Sequence, residues 1–401
     1  MSLFERNAKF FQTDSFDNAM KRDTNYYTIL LCVTHRCNLN CSYCYQQHDS
    51  MHEMSYETAI SCIKKALAIT ECNSIVEFIF FGGEPLLRFD LMRDVVTYVN
   101  KNYMSRKIRF FASTNGTLLT DDMKRWFIDN KDTITLGLSL DGDRKSHNIN
   151  RSNSFDAIDI NFFKTTWPAQ NVKMTVSTKT IGNYASDVEF LHSLGFGING
   201  GTLCIDDECV SDDTLLIFAK QLFQLIDYYS SQTKAPYNAL FDVDLVSCEN
   251  EKKFVKKNCS VGDKLFFFDT NGEIYPCTFM TPMTFNKQDM ERINKTNFTQ
   301  SDAFIDEDCY NHCYLFPICK ICPAENYLHN NSFKKWNRKR CALTQLIALV
   351  VAEVETKKIL RNPQVYDNSR LFYTIEAIKK IRGLYQKQYE LWFHCNQERT
   401  E

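Results

Sequence analysis

Seventeen of the 401 residues are cysteine, and most of them fall into two sets. The first is Cys37, Cys41 and Cys44, in the run THRCNLNCSYCY with the spacing C-x3-C-x2-C. Three thiolates so spaced on one loop can hold three irons of a 4Fe–4S cube. The fourth iron then stays open to a substrate or cofactor. A zinc site completed by His35 or His48 is the other chemistry this loop allows. The second set is Cys259, Cys277, Cys309, Cys313, Cys319, Cys322 and Cys341. Its centre reads C-x3-C-x5-C-x2-C over residues 309–322. Cysteines clustered in a long chain without an apolar secretion segment point to metal rather than disulfides, in a reducing compartment. Cys248 reads either as a further ligand or as a buried free thiol. Cys32, Cys62, Cys72, Cys204, Cys209 and Cys395 read as small core or surface residues.

Such ligands need a scaffold, and the first half of the chain alternates strand-like and helix-like runs. The β-rich runs are Tyr27–Val33, Ile75–Phe81, Lys107–Ser113, Thr133–Leu140, Val172–Thr178 and Ile198–Ile205. Between and after them the spacing predicts helices over Ser55–Glu71, Phe89–Tyr103, Thr120–Asn130, Phe155–Thr166, Asn183–Leu194 and Asp212–Ser230. Ser55 and Thr120 stand where N-caps belong. Six β/α units of this kind imply a parallel, partial barrel with ligands at the C-terminal strand ends. After about residue 235 the pattern changes. KLFFFDTNGEIYPC reads as a hairpin turning at Asn271-Gly272, and the cysteine-rich stretch follows. Residues 342–360 and 370–393 read as helices. The organisation read here is an N-terminal extension (1–26), a barrel (27–235), a small metal-stapled domain (236–345) and a C-terminal helical segment (346–401).

The strand ends carry polar residues suited to a small ligand. The second strand ends in Phe81-Gly82-Gly83-Glu84-Pro85. Two glycines let backbone approach a ligand closely, and a carboxylate can accept from an ammonium group. Ser113-Thr114-Asn115-Gly116 ends the third strand and Ser139-Leu140-Asp141-Gly142 the fourth. Both also read as ordinary Asn-Gly and Asp-Gly turns. Arg151 suits a ligand carboxylate or a solvated surface equally well.

Together the cysteine loop, the aromatic Tyr43 before its last cysteine, and Gly82-Gly83-Glu84-Pro85 resemble the radical S-adenosylmethionine superfamily. The resemblance implies an α/β fold with a partial (β/α)6 barrel, and S-adenosylmethionine chelated to the open iron at Cys37, Cys41 and Cys44. It implies cofactor contacts at Tyr43, Gly82, Gly83, Glu84, Pro85, Asn115, Ser139, Asp141 and Arg151. The second cysteine set resembles the SPASM extension of peptide-modifying members, whose usual centre is C-x2-C-x5-C-x3-C; here the outer spacings are exchanged. By that resemblance Cys309, Cys313, Cys319 and Cys341 hold a distal 4Fe–4S cluster. Cys259, Cys277 and Cys322 hold a nearer one, which Cys248 could complete, so three clusters are expected in all.

The family's chemistry is reductive cleavage of the cofactor to a 5′-deoxyadenosyl radical, which takes hydrogen from a peptide or protein substrate. A flavodoxin- or ferredoxin-type electron donor is implied. Related members include sulfatase maturases, ribosomal-peptide crosslinking enzymes and epimerases. The sulfatase-maturing relatives place an aspartate base directly after the cysteine that Cys277 matches, and this chain has Thr278. Threonine is no carboxylate base. A thioether or carbon–carbon crosslink in a ribosomally made peptide is therefore expected, with formylglycine-type oxidation or epimerisation as alternatives. A non-catalytic iron–sulfur electron carrier or a zinc-stabilised binding module is the alternative of another class. Only 36 residues precede Cys37, so leader recognition is expected from the C-terminal helices, the core domains or a separate leader-binding protein.

The net charge is −2, with 44% hydrophobic and 24% charged residues. That balance gives no basic field toward nucleic acid and no membrane-spanning run, and a cytoplasmic protein is expected.

Overall fold

The structure is a computed structural model. It describes residues 25–393 apart from 47, 49–50, 205–206, 233–234, 250–259, 301–302 and 321. The described strands are β1 (Tyr26–Thr34), β2 (Ile75–Gly82), β3 (Lys107–Thr114), β4 (Ile134–Leu138), β5 (Asn171–Val176), β6 (Gly197–Leu203), β7 (Leu265–Phe268) and β8 (Ile274–Tyr275). The first six match the strands expected from sequence. The chain divides into two compact units, each built from separate stretches of sequence.

The first unit comprises Met1–Leu140, Arg151–Val172 and Cys259–Thr299. Its sheet has the order β4-β3-β2-β1-β7-β8. The pairs from β4 through β7 are parallel, and β7–β8 is an antiparallel hairpin. β1 and β2 are apolar along nearly their whole length and buried on both faces, as central parallel strands are. The hairpin turns at Gly272, with φ +82°, as Asn271-Gly272 foretold. Its first strand does not stand apart from the barrel strands: β7 lies beside β1 in register Thr28↔Leu265 to Leu31↔Phe268. Helices follow the strands. Ser55 caps Tyr56–Ile69 by accepting from the Thr58 N–H, and Thr120 caps Asp121–Asp129 through the Met123 N–H. Each such cap stabilises its helix by ~1 kcal/mol. The single helix expected over Phe155–Thr166 is instead a short turn, Phe155–Ala157, and a helix, Ile160–Thr166. Asp159 breaks it: its carboxylate accepts the Phe162 N–H and starts a new helix.

The second unit comprises Asp141–Asn150, Lys173–Asn258 and Gln300–Glu401. β5 and β6 pair with each other. The helix Asp212–Ser231 buries Leu215, Phe218, Leu222, Leu225 and Ile226 and packs on the long helix Lys339–Arg361. Tyr184 is fully buried against Phe218, and Asn238 donates to the hydroxyls of Tyr184 and Tyr229 at 3.2 and 2.9 Å. Cys204 and Cys209, expected as separate small residues, are joined in a disulfide. The two C-terminal helices expected from sequence are three: Lys339–Arg361, Asn368–Leu384 and Gln386–Phe393. Among the described residues no helix is long and apolar enough to cross a membrane.

One polar pair lies inside the sheet. Glu77 on β2 and Arg109 on β3 are direct cross-strand partners, 2.7 Å apart, and the Tyr26 hydroxyl bonds to the same guanidinium. Only 1% of Glu77 is exposed. Arg109→Met strands that buried carboxylate and is expected to cost about 3–5 kcal/mol, whereas Glu77→Leu with Arg109→Met should recover most of the loss. Urea unfolding of the two variants measures this; equal stability would mean that the pair is electrostatically idle.

Candidate active site

The cysteine loop leaves the end of β1 and is held from several sides within the first unit. Gly83 is the tightest hold: a Cβ there would stand 2.1 Å from the Arg36 carbonyl oxygen and 2.9 Å from the Cys37 Cβ. At Gly82, φ is +150° and a Cβ would meet the Thr34 oxygen at 2.2 Å. The two glycines therefore seat the end of β2 against the end of β1 and the start of the cysteine loop, a close approach of backbone to backbone. The Gly83 and Glu84 N–H groups donate to the Thr34 and Arg36 carbonyls at 3.0 and 2.8 Å.

Glu84 is 1% exposed, and both its carboxylate oxygens are engaged. One accepts from the Thr114 hydroxyl at 2.8 Å and the Leu86 N–H at 3.0 Å; the other accepts from the Asn115 N–H at 2.8 Å. Burial pushes its pKa up to about 7, against the pull of the Asn115 and Leu86 N–H groups, the Thr114 hydroxyl and the Arg151 charge. Asn115 in turn donates to the Asn38 side chain at 2.9 Å, and Asn38 donates to Thr117 at 2.8 Å. The Ser113–Gly116 strand end is thus bonded to the residue next to Cys37. Pro85 begins a short turn, Pro85–Arg88, that Glu84 caps.

Two more contacts close on the loop. Ser152, at φ +54°, accepts the Asn40 N–H at 3.0 Å and donates to the Asn40 carbonyl at 2.9 Å. Its neighbour Arg151 is buried, with its guanidinium 5.4 Å from the Tyr43 ring centroid. That burial excludes the solvated-surface reading of Arg151. On the strand side, His35 Nε2 lies 2.7 Å from Asp269 Oδ1, just past β7, and Cys32 joins them in a group whose ligand atoms lie within 4.8 Å. The His35–Asp269 pair ties the loop to the hairpin that leads to Cys277. His48 Nε2 lies 3.3 Å from the Cys44 sulfur, and its Nδ1 lies 3.2 Å from the His35 carbonyl. Burial raises the Cys44 pKa, but His48, the Gln46 N–H and Arg151 outweigh it and hold the thiol below its ordinary value. Cys37 is pushed up by burial. Three thiols on one clasped loop, with a close backbone wall behind them, fit the donor set of a three-cysteine cluster.

Ser139 is buried at the end of β4, its N–H donating to the Thr114 carbonyl at 2.9 Å. Asp141 falls in the second unit, where it accepts the Thr175 N–H at 2.9 Å and Asn150 Nδ2 at 3.3 Å. Beside it, Asp187 accepts the Asp143 N–H at 3.0 Å, and burial together with Asp143 and Asp141 pushes its pKa up to about 7.

The second cysteine set is also partly gathered. In the second unit Cys309, Cys313 and Cys319 pack around Phe316 and Trp336. Cys341 lies within electrostatic reach of Cys309 and Cys319. These are the four thiols assigned by resemblance to a distal cluster. Cys322 is exposed in the same unit, Cys277 is half-buried in the first, and Cys259 lies outside the described residues. Cys248 is buried within electrostatic reach of Cys313, so its described neighbour belongs to the four-thiol group. Burial pushes Cys248, Cys309 and Cys319 up to about 12.

Comparison with known proteins agrees with this geometry. Residues 31–160 match the radical SAM superfamily. The chain carries a radical SAM domain. It is 25% identical over 322 residues to the cysteine-type anaerobic sulfatase-maturating enzyme of Clostridium perfringens strain 13, covering 71% of this chain and 85% of that one. An uncharacterized protein of Methanocaldococcus jannaschii is 38% identical over 114 residues, which span 28% of this chain and 38% of that relative's length. The radical SAM cyclopropyl synthase TigE of Paramaledivibacter caminithermalis is 30% identical over 34% of this chain and 32% of its own. Among solved structures, anSMEcpe with bound AdoMet and the Cp18Cys peptide superposes with a TM-score of 0.62 at 21% identity, covering 89% of this chain and 99% of that one. SuiB of Streptococcus suis bound to precursor peptide SuiA gives 0.54 at 15% identity, over 83% and 78%. These two show a shared fold.

The family implies S-adenosylmethionine and a 4Fe–4S cluster. Sequence reasoning missed the clasp residues Asn38, Ser152 and Asp269, and it read His35 only as a possible zinc ligand. Asn38 and His35, inside the cysteine motif, carried a local signal.

The buried Asp187 has a testable pH signature. Its folded pKa lies above the ordinary carboxylate value, so its contribution to stability is full below about pH 4 and fades as pH rises through 7. Asp187→Asn should remove that decline. Denaturant unfolding at pH 5 and pH 8 compares the two proteins; identical pH slopes would mean that Asp187 is ionised in the folded state across this range.

Proposed function

We propose that this protein is a radical SAM maturase that modifies a ribosomally made peptide, forming a thioether or a carbon–carbon crosslink. The observation that carries the reading is the pairing of a clasped three-cysteine loop with a second group of four gathered thiols. Cys37, Cys41 and Cys44 would hold the catalytic cluster. Cys309, Cys313, Cys319 and Cys341 would hold a distal cluster, and Cys259, Cys277 and Cys322 a nearer one, within an auxiliary domain of residues 236–345. When bound, S-adenosylmethionine and the first cluster supply a carbon-centred radical that abstracts hydrogen from an unactivated carbon.

The chain's own residues bind and orient. Tyr43 and Arg151 stack beside the loop, and the buried guanidinium suits the cofactor carboxylate. Glu84 keeps lone pairs beyond its three protein donors and can accept the cofactor ammonium. Gly82, Gly83, Pro85 and Asn115 keep Glu84 and the loop in register. Ser139 and Asp141, at and just past the end of β4, are assigned to the rest of the cofactor. A peptide substrate is supported by the peptide-bound anSMEcpe and SuiB structures. Thr278, half-buried directly after Cys277, favours crosslinking over formylglycine formation, since it offers no carboxylate base. A flavodoxin- or ferredoxin-type donor completes the reading.

Anaerobic reconstitution tests it first: about twelve irons per chain are expected from three clusters. Cys37→Ala, Cys41→Ala and Cys44→Ala should each abolish 5′-deoxyadenosine formation under dithionite, and normal turnover in the triple variant would remove the central claim. Glu84→Gln keeps the side-chain size and removes its charge, at the cost of one of its two acceptor oxygens, because the amide NH2 cannot accept from the Asn115 or Leu86 N–H. It should weaken S-adenosylmethionine binding by ~1.5–3 kcal/mol in equilibrium dialysis while the iron content holds; unchanged affinity would mean that Glu84 serves the loop alone.

A further inference from the structure

The four-thiol group of the second unit has polar side chains aimed at its sulfurs. Arg338 Nη1 lies 2.7 Å from the Cys309 sulfur. The Thr344 hydroxyl lies 3.7 Å from the Cys319 sulfur, and the Tyr385 hydroxyl bonds to Cys313. Arg338 is the charged member, and it is held in place. Its Nη2 reaches both carboxylate oxygens of Asp306 at 3.4 and 3.3 Å and Asp308 at 3.3 Å. Asp306 is fixed in turn. It caps the helix Glu307–His312 through the Cys309 N–H at 3.2 Å and accepts the Trp336 N–H at 3.3 Å. Trp336 stacks on Phe316 at 5.3 Å, and its indole N–H donates to the Phe304 carbonyl at 3.1 Å. The guanidinium is therefore a fork with one arm on carboxylates and the other on a sulfur.

We propose that Arg338 sets the reduction potential of the cluster held by Cys309, Cys313, Cys319 and Cys341, raising it so that this site is an electron acceptor. The inference rests on the reading that these four thiols hold a 4Fe–4S cluster. The uptake of one electron adds one negative charge, part of which is carried by the thiolate sulfurs. A cationic donor on a sulfur stabilises the reduced form more than the oxidised form, and hydrogen bonds to sulfur are among the levers that set such potentials. Asp306 and Asp308 offset part of the charge of Arg338, but they do not touch the sulfur. They hold the donor on it.

The test uses the full chain, reconstituted anaerobically, with dithionite as reductant and electron paramagnetic resonance as readout during a potentiometric titration. The distal signal is identified by its loss in Cys341→Ala. Arg338→Met should move the one-electron equilibrium of that signal about tenfold toward the oxidised form, which is about 59 mV. Arg338→Lys, which keeps the charge without the fork, should shift it less. Iron and sulfide content is read first. A wild type with no more iron than a variant in which Cys309, Cys313, Cys319 and Cys341 are all alanine would remove the cluster reading itself. Wild-type iron in Arg338→Met with an unmoved midpoint overturns the proposal alone. Loss of iron in Arg338→Met, Arg338→Gln and Arg338→Lys alike would assign the residue to assembly and overturns it too.

Discussion

The absence of a side chain at Gly83 is the constraint on which the site depends. The end of β2 and the start of the cysteine loop share a space too small for a methyl group. With Gly83 seated against Arg36, the backbone N–H of Glu84 reaches the Arg36 carbonyl, and its carboxylate is delivered to the end of β3. There it fixes Asn115, which reaches back to Asn38 inside the cysteine motif. The bonds form a closed circuit: β2 to loop, β2 to β3, β3 to loop. Any larger residue at position 83 would push β2 away from the loop and break the circuit at two points. A loop that must present three thiols at fixed spacing gains its rigidity from this circuit rather than from secondary structure of its own.

What could be read from sequence was what is local. Strand positions followed from β-branched and aromatic runs, helix starts from Ser55 and Thr120, and the hairpin turn from Asn271-Gly272. Cysteine spacing narrowed the chemistry of the first loop to a 4Fe–4S cluster or a zinc site. Contacts between distant residues were not legible. His35 and Asp269 are 234 positions apart, and neither has a neighbour in sequence that announces the other. Nothing in the sequence marks Ser152, because its positive φ belongs to the fold. The disulfide of Cys204 and Cys209, five positions apart, is a use of thiols that clustering for metal had argued against. The glycine pair was recognised as a site of close approach, but what approaches it is the cysteine loop.

The placement of β7 has the same origin. Leu265-Phe266-Phe267-Phe268 is as apolar as a central strand, yet it comes after the change in composition near residue 235. Composition suggested a separate domain; pairing made β7 the neighbour of β1. The edge of a four-stranded parallel sheet beside β1 would otherwise expose unpaired backbone groups. β7 covers that edge with a chain segment that ends at Asp269, which then clasps His35. One segment therefore both closes the sheet and braces the cysteine loop.

The two thiol groups differ in how much they depend on metal. In the first, His48, the Gln46 N–H and Arg151 hold Cys44 below its ordinary pKa while burial raises Cys37, and the clasp runs through bonds that involve no thiol. In the second, burial drives Cys309 and Cys319 up to about 12, so without a metal they are neutral small hydrophobes packed on Phe316 and Trp336. On the proposed reading a metal there would have to displace those protons, and its binding free energy would be coupled to the folding of the short segments that carry the thiols. The helix Glu307–His312 has six residues and the turn Phe316–Ile318 three, too short to stand on their own hydrogen bonds. Their order rests on the small aromatic core and on whatever binds the sulfurs. The first loop is thus clasped independently of its thiols, and on the proposed reading the second group would be built together with its cluster.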